Sequence, residues 1–205
     1  EITLRLYPQP EAVSAAVCAF PDVDQAVRTV IETIQMGVPI ARCELLDALT
    51  IQAVNRYSKL TLREGPMLLC EFHGTAASVE EQAKTVQDIA TAHGGLDFEW
   101  ATKQEDRTRL WQARHDAYLA CMQLRPGNRA VVSDVCVPVS RLAECIAATN
   151  QDIATASMPI PLFGHVGAGN FHLVILVDPN NRHDLDEADA INRRLVMRAL
   201  KMGGT

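Results

Sequence analysis

The chain has 205 residues, of which 48 % are hydrophobic and 21 % charged, and its net charge is −6. That is ordinary globular composition, long enough to bury a core in one domain or at most two. No lysine or arginine block is present, which argues against nucleic acid as a partner, and no apolar run approaches the roughly 18 residues of a transmembrane segment. Six cysteines (Cys18, Cys43, Cys70, Cys121, Cys136 and Cys145) lie far apart, mostly inside apolar runs. They read as reduced, buried thiols in a cytoplasmic setting, without a disulfide framework. No signal peptide is recognisable.

In chain order, Ile2 to Tyr7 alternates apolar and polar residues, the period of a half-buried strand, and Pro8 and Pro10 end it. Val13 to Phe20 predicts a strand, and Asp22 or Asp24 caps a helix to about Gln35 that Gly37 stops. Val38 to Leu45 is a strand, Leu46 to Tyr57 helical, and Met67 to Phe72 a buried strand. Ser78-Val-Glu-Glu81 suggests a capping box for a helix Val79 to Ala92. A short strand, Leu96 to Trp100, precedes a helix Asp106 to Cys121 that carries Trp111, Arg114 and His115. Val131 to Val137 reads as one strand, Ser140 as the cap of a helix Arg141 to Thr155, and Asp184 to Met202 as a last helix. No Gly-x-Gly-x-x-Gly follows a strand, so a dinucleotide-binding unit is not indicated. The expected fold is α+β: a largely antiparallel sheet with helices on one face, built from ferredoxin-like split βαβ repeats. Its other face would be free to cover something, and would also suit a homodimer.

Chemistry concentrates between Pro161 and Val177, where two apolar runs flank Gly167-Ala-Gly-Asn170. This is a hairpin pattern. If the loop is Gly167 to Asn170, Val166 pairs with Phe171 and His165 lies opposite His172. Opposed Cβ atoms are about 4.5–5.5 Å apart, close enough for two imidazoles to share a cation. Two ligands fall short of the three or four of a zinc site, and a plain pair of hairpin histidines fits equally.

Gly164-His165-Val-Gly-Ala-Gly-Asn170-Phe-His172 resembles the Gly-His-x-Gly-Asp-Gly-Asn-x-His motif of the C-terminal domain of FAD-linked oxidases, the vanillyl-alcohol-oxidase-like group. Four further stretches resemble the family in the same order: Pro39 to Asp47, Leu69 to Gly74, Leu110 to His115, and Ser133 to Ser140. Glu1 to Pro8 resembles the last strand of the preceding flavin-binding domain.

The resemblance implies two parts: residues 1–10 as the trailing strand and linker of an N-terminal FAD-binding domain, and 11–205 as the cap and substrate domain, cut at its C-terminus. It implies FAD held mainly by that other domain, and a small 2-hydroxy acid as substrate. It implies His165 and His172 as ligands of a divalent metal, zinc or manganese, with Arg114 on the substrate carboxylate. Asn170 is a second substrate contact or a turn residue, and Glu71 and Asp134 are candidates for the flavin side, as is Glu44. The third metal ligand and the base belong to a Glu-His-Gly expected beyond Thr205, so the fragment is expected to be inactive alone. Peripheral attachment to the inner membrane is also open.

Ala168 replaces the aspartate of the motif, removing an expected acceptor for a histidine ligand. Val132 and Val174 stand where a hydroxyglutarate-specific branch carries lysine and asparagine. Apolar residues there favour a small side chain, as in D-lactate. A reading from another class is a ferredoxin-like module that binds a small acid or metal, or assembles, without redox activity.

Overall fold

The structure, a computed structural model, describes residues 2–6 and 9–205. Its first half runs β1 (Ala12–Ala19), α1 (Val23–Gln35), β2 (Ile40–Leu46), α2 (Ala48–Ser58), β3 (Met67–Gly74), α3 (Ala76–Ala92) and β4 (Leu96–Ala101). The second half runs α4 (Gln104–Met122), β5 (Arg129–Val132), β6 (Val135–Cys136), α5 (Leu142–Ile153), β7 (Leu162–Gly164), β8 (Asn170–Val177) and α6 (Arg182–Lys201). The strands form one sheet in the order β4-β1-β3-β2-β7-β8-β5, with β6 also on β8, and these pairings are antiparallel. The order β4-β1-β3-β2 is the split βαβ arrangement expected from the sequence, with α2 inserted between β2 and β3.

Each strand sends alternate residues to opposite faces, and two separate apolar cores result. On one face Ala16, Cys18, Leu45, Leu68, Phe72, Phe171, Leu173 and Ile175 pack under α1, α3, α5 and α6. On the other, Ala15, Val17, Leu46, Leu69, Phe163, Val174 and Leu176 pack under α2 and α4. The α+β class and antiparallel sheet are as expected, but helices cover parts of both faces instead of one. The short apolar residues of α4 (Ala113, Ala117, Ala120) explain how it lies close to the second face. That helix reaches only part of the face, leaving the β2–β7–β8 end to polar residues.

Four local expectations are corrected. Residues 2–6 form no strand and are exposed; Tyr7 lies outside the described residues. Thr75, not Ser78, caps α3, its Oγ1 accepting from Ser78 N at 3.2 Å, while the Ser78 hydroxyl accepts from Gln82. A 3₁₀ turn, Val139–Arg141, precedes α5, so Ser140 is inside that turn and caps nothing. The expected strand Val131 to Val137 is interrupted at Ser133 and Asp134.

Candidate active site

The hairpin forms with a different register from the one expected. Phe163, not His165, stands opposite His172, and Leu162 opposite Leu173. The connection is a 3₁₀ turn over Val166–Ala168, closed by Gly169 at φ +78°. A Cβ on Gly169 would lie 2.0 Å from the Val137 carbonyl oxygen, and one on Gly164 2.3 Å from Phe171 Cα, so close backbone approach demands glycine at both. The correction moves the pairing by an even number of residues, so both histidines keep the same face. His165 and His172 become diagonal neighbours, their rings 5.6 Å apart and nearly perpendicular.

One rung along the β2–β7 ladder from the Leu46–Phe163 and Leu45–Gly164 pairs, Glu44 comes beside His165. His165 Nδ1 is 2.6 Å from Glu44 Oε1, and Arg114 Nε donates to Glu44 Oε2 at 3.0 Å. Glu44 is buried, so α4 and the histidine turn meet on one enclosed carboxylate. The Arg114 guanidinium also lies 5.2 Å above the Phe163 ring, whose other neighbour is His172 at 5.9 Å, edge to face. Cation–π contact and ion pair together fix a long side chain that would otherwise wander.

Ser133 explains Asp134. The register of β5 and β6 on β8 is continuous (Val132 opposite Val174, Val135 opposite Phe171), yet Leu173 N donates to the Ser133 side-chain oxygen instead of the ladder carbonyl. This local substitution breaks the strand and leaves the Asp134 carboxylate exposed beside the site. Asp134 Oδ1 accepts from Asn170 Nδ2 at 2.6 Å and faces His172 Nδ1 at 3.3 Å. Asn170 also donates to the Val135 carbonyl at 2.9 Å, so it ties the end of the hairpin to β6. Burial above all, then His165 and Arg114, holds His172 below the usual imidazole range, against the opposite pull of Asp134 and Glu44.

Six of the sequence-named residues therefore come together: Arg114, His165, Asn170, His172, Asp134 and Glu44. Glu71 does not join them. It lies on β3, across β2 from the histidines, where it pairs with His73 at 2.9 Å and Arg42 at 3.5 Å. Arg42 in turn stacks 4.6 Å over Trp111, one turn of α4 before Arg114. Val132 is half exposed opposite buried Val174 on the same face as His172, placing two apolar side chains next to the cluster. Beside His165, a cleft of about 270 Å³ is lined by Arg42, Glu44 and Ala168 among others.

Comparisons with known proteins show the family of the chain. A family model described as FAD linked oxidases, C-terminal domain, matches residues 9–205. The chain belongs to this family. It is 47 % identical over 203 residues to a probable mitochondrial D-lactate dehydrogenase of Danio rerio, covering 99 % of this chain and 41 % of that protein. It is 41 % identical to a mitochondrial D-lactate dehydrogenase [cytochrome] of Arabidopsis thaliana, covering all of this chain and 36 % of that protein. The chain thus spans about two fifths of the curated relatives it matches. In structure it resembles 4-ethylphenol oxidase from Gulosibacter chungangensis, with a TM-score of 0.71 and 15 % identity over 98 % of this chain and 46 % of that one, a likeness of fold.

The residues of this FAD-linked oxidase C-terminal domain fit a flavin as a partial cover, with a half-open polar sheet face and no glycine-rich nucleotide motif. Toward a metal they fit in part. Each histidine turns Nδ1 to a carboxylate, His165 to Glu44 and His172 to Asp134, which leaves Nε2 as the ligating atom. Orientation of the histidines therefore does not depend on an acid at position 168. No cluster of three or more candidate ligands occurs among the described residues. Glu44 is the site residue whose role was missed in the sequence. A glutamate in the otherwise apolar run Cys43 to Leu46 was the available signal.

Proposed function

We propose that this domain is the cap and substrate-binding part of an FAD-dependent oxidoreductase that oxidises a small D-2-hydroxy acid, D-lactate, to the 2-oxo acid. The observation that carries the proposal is the Arg114 guanidinium, held by Glu44 and Phe163 beside two imidazoles on the half-open sheet face. Arg114 spends Nε on Glu44, and its terminal nitrogens are the part of the fork that meets the substrate carboxylate. His172, kept neutral at pH 7 by burial, presents Nε2 toward the substrate hydroxyl and Asn170 closes the floor. Val132, half exposed over buried Val174, faces the substrate's third substituent, and an added distal carboxylate there would lose about 2 kcal/mol or more for want of a partner. FAD, held mainly by a flavin-binding domain of the same longer chain, supplies the acceptor for the hydride that leaves C2.

Residues 1–10 are proposed as the trailing strand and linker of that flavin domain, and 11–205 as the cap. The exposed side chains of Ile2, Leu4 and Leu6 suit a segment whose partner lies elsewhere. At the other end, Thr205 and Cys136 exchange both backbone hydrogen bonds, at 2.8 and 3.0 Å, so the chain runs antiparallel to β6. A third ligand supplied by another part of the full-length protein would complete the histidine pair. With it, His165 and His172 would hold zinc or manganese, which would polarise the substrate hydroxyl and lower its pKa. Among the described residues no helix is long and apolar enough to cross a membrane, and six free thiols suit a reducing, cytoplasmic compartment. A homodimer would use the part of the sheet face that α2 and α4 leave uncovered.

Anaerobic mixing of the full-length protein with D-lactate should bleach the flavin, with L-lactate and D-2-hydroxyglutarate at least about tenfold slower. Equal rates with D-2-hydroxyglutarate would contradict the substrate assignment, and no reduction by any 2-hydroxy acid would favour a non-redox binding module.

A further inference from the structure

Glu44 stands at a sheet position whose same-face neighbour on β2, Leu46, is wholly buried, and its own residue exposure is only 2 %. A carboxylate at such a position costs desolvation, and well-packed apolar residues often replace a buried ion pair without loss of stability. A fold that needed only filling would take leucine there. Instead one carboxylate is divided between two functional side chains from different elements. Oε1 is 2.6 Å from His165 Nδ1 on the hairpin turn, and Oε2 accepts from Arg114 Nε on α4.

Resting on the function proposed above, the geometry points to Glu44 as a positioning residue that sets Arg114 and His165 in a fixed mutual relation. Through Oε2 it rotates the guanidinium so that the terminal nitrogens meet the substrate carboxylate. Through Oε1 it takes the Nδ1 hydrogen of His165 and so fixes the tautomer, leaving the Nε2 lone pair for the hydroxyl side. Because the same rigid group holds both, the carboxylate-binding and hydroxyl-facing parts of the site are coupled. Phe163 beneath Arg114 and Gly167 packed on Cys43, next to Glu44, close the unit from either side. Glutamine has one accepting oxygen, so it serves one of the two partners, and its amide NH2 opposes the N–H of the other. Aspartate is one methylene shorter and reaches one partner at a time.

The test uses the full-length flavoprotein with Glu44→Gln and Glu44→Asp. Three quantities are read: the oxalate dissociation constant from the flavin absorbance change, kcat and KM for D-lactate, and Tm. In Glu44→Gln, oxalate affinity and kcat should both fall by about tenfold or more, with KM rising. Glu44→Asp should restore oxalate affinity or kcat, not both. If Glu44→Gln lowers Tm while oxalate affinity, KM and kcat keep their wild-type values, Glu44 is an ordinary structural ion-pair member and the inference is overturned. Full restoration of both by aspartate overturns it as well. A wild-type protein that neither binds oxalate nor is reduced by D-lactate overturns the functional reading and this inference together, an outcome distinct from wild-type behaviour in the variants.

Discussion

The two faces of the sheet are made by the same strands and end up doing different work. Under α1, α3, α5 and α6 the face is mostly apolar, broken by the small buried hydroxyls of Ser14 and Ser133, with Phe72, Phe171 and Leu173 fully enclosed. Under α2 and α4 the apolar part stops at Leu46, Phe163 and Val174. One rung further the same face carries Glu44, His165 and Asn170, with His172 and Asp134 beside them. Alternation along a strand lets one side be spent wholly on cohesion, which frees the other to hold charges that would be ruinous in a closed core. Stability and chemistry are thereby separable by substitution, side against side.

The largest expected loss of stability falls on the closed face. Phe171→Ala removes a fully buried ring and should cost about 3–5 kcal/mol in urea unfolding of the full-length protein. The surviving folded fraction should keep its KM for D-lactate. A KM shift larger than the stability loss would break the separation between faces.

Ser133→Ala tests the seam. It leaves the buried Leu173 N–H without its acceptor, worth about 1–3 kcal/mol, and removes the bond that shapes the break at Asp134. Asp134 would then turn from His172 and Asn170, so kcat should fall along with Tm. A loss of Tm with unchanged kcat would show that Asp134 matters only to the turn.

A smaller effect concerns protons. His172 is held below the usual imidazole range in the folded protein, mainly by burial. Between its folded pKa and that of the unfolded chain, about 6.5, the unfolded state binds more protons, so stability rises with pH through that window. The contribution is complete above the unfolded value and is lost as pH falls through the folded one. Tm measured from pH 5 to 8 should show this slope in wild type and less of it in His172→Asn; identical profiles would place the titration elsewhere.

Much of this was legible in the amino-acid order. The split βαβ arrangement followed from the strand–helix alternation, and Arg114, His165, His172, Asn170 and Asp134 were all marked before their geometry was known. What escaped has particular causes. The unbroken apolar run Leu173 to Val177 is what a strand covered on both faces looks like, and it announced helices on the second face. The hairpin register depended on whether the loop was Gly167 to Asn170, with Val166 paired to Phe171, or the longer connection built on the 3₁₀ turn Val166–Ala168, in which Gly169 comes close to Val137 just after β6. Glu71 and Glu44 looked alike in sequence. The sheet order, with β2 between β3 and β7, puts Glu44 beside His165, while Glu71 stays one strand away, paired with His73 two residues along its own strand.

The central claim is that the open face, through Arg114, grips the substrate carboxylate. Arg114→Lys keeps a positive charge for Glu44 but loses the fork, and it tests the claim most directly when flavin reduction by D-lactate is followed anaerobically in the full-length protein. The account predicts a KM-type defect, with the apparent dissociation constant for D-lactate raised about 10- to 100-fold and the fold intact by Tm. Wild-type saturation behaviour in that variant would contradict it.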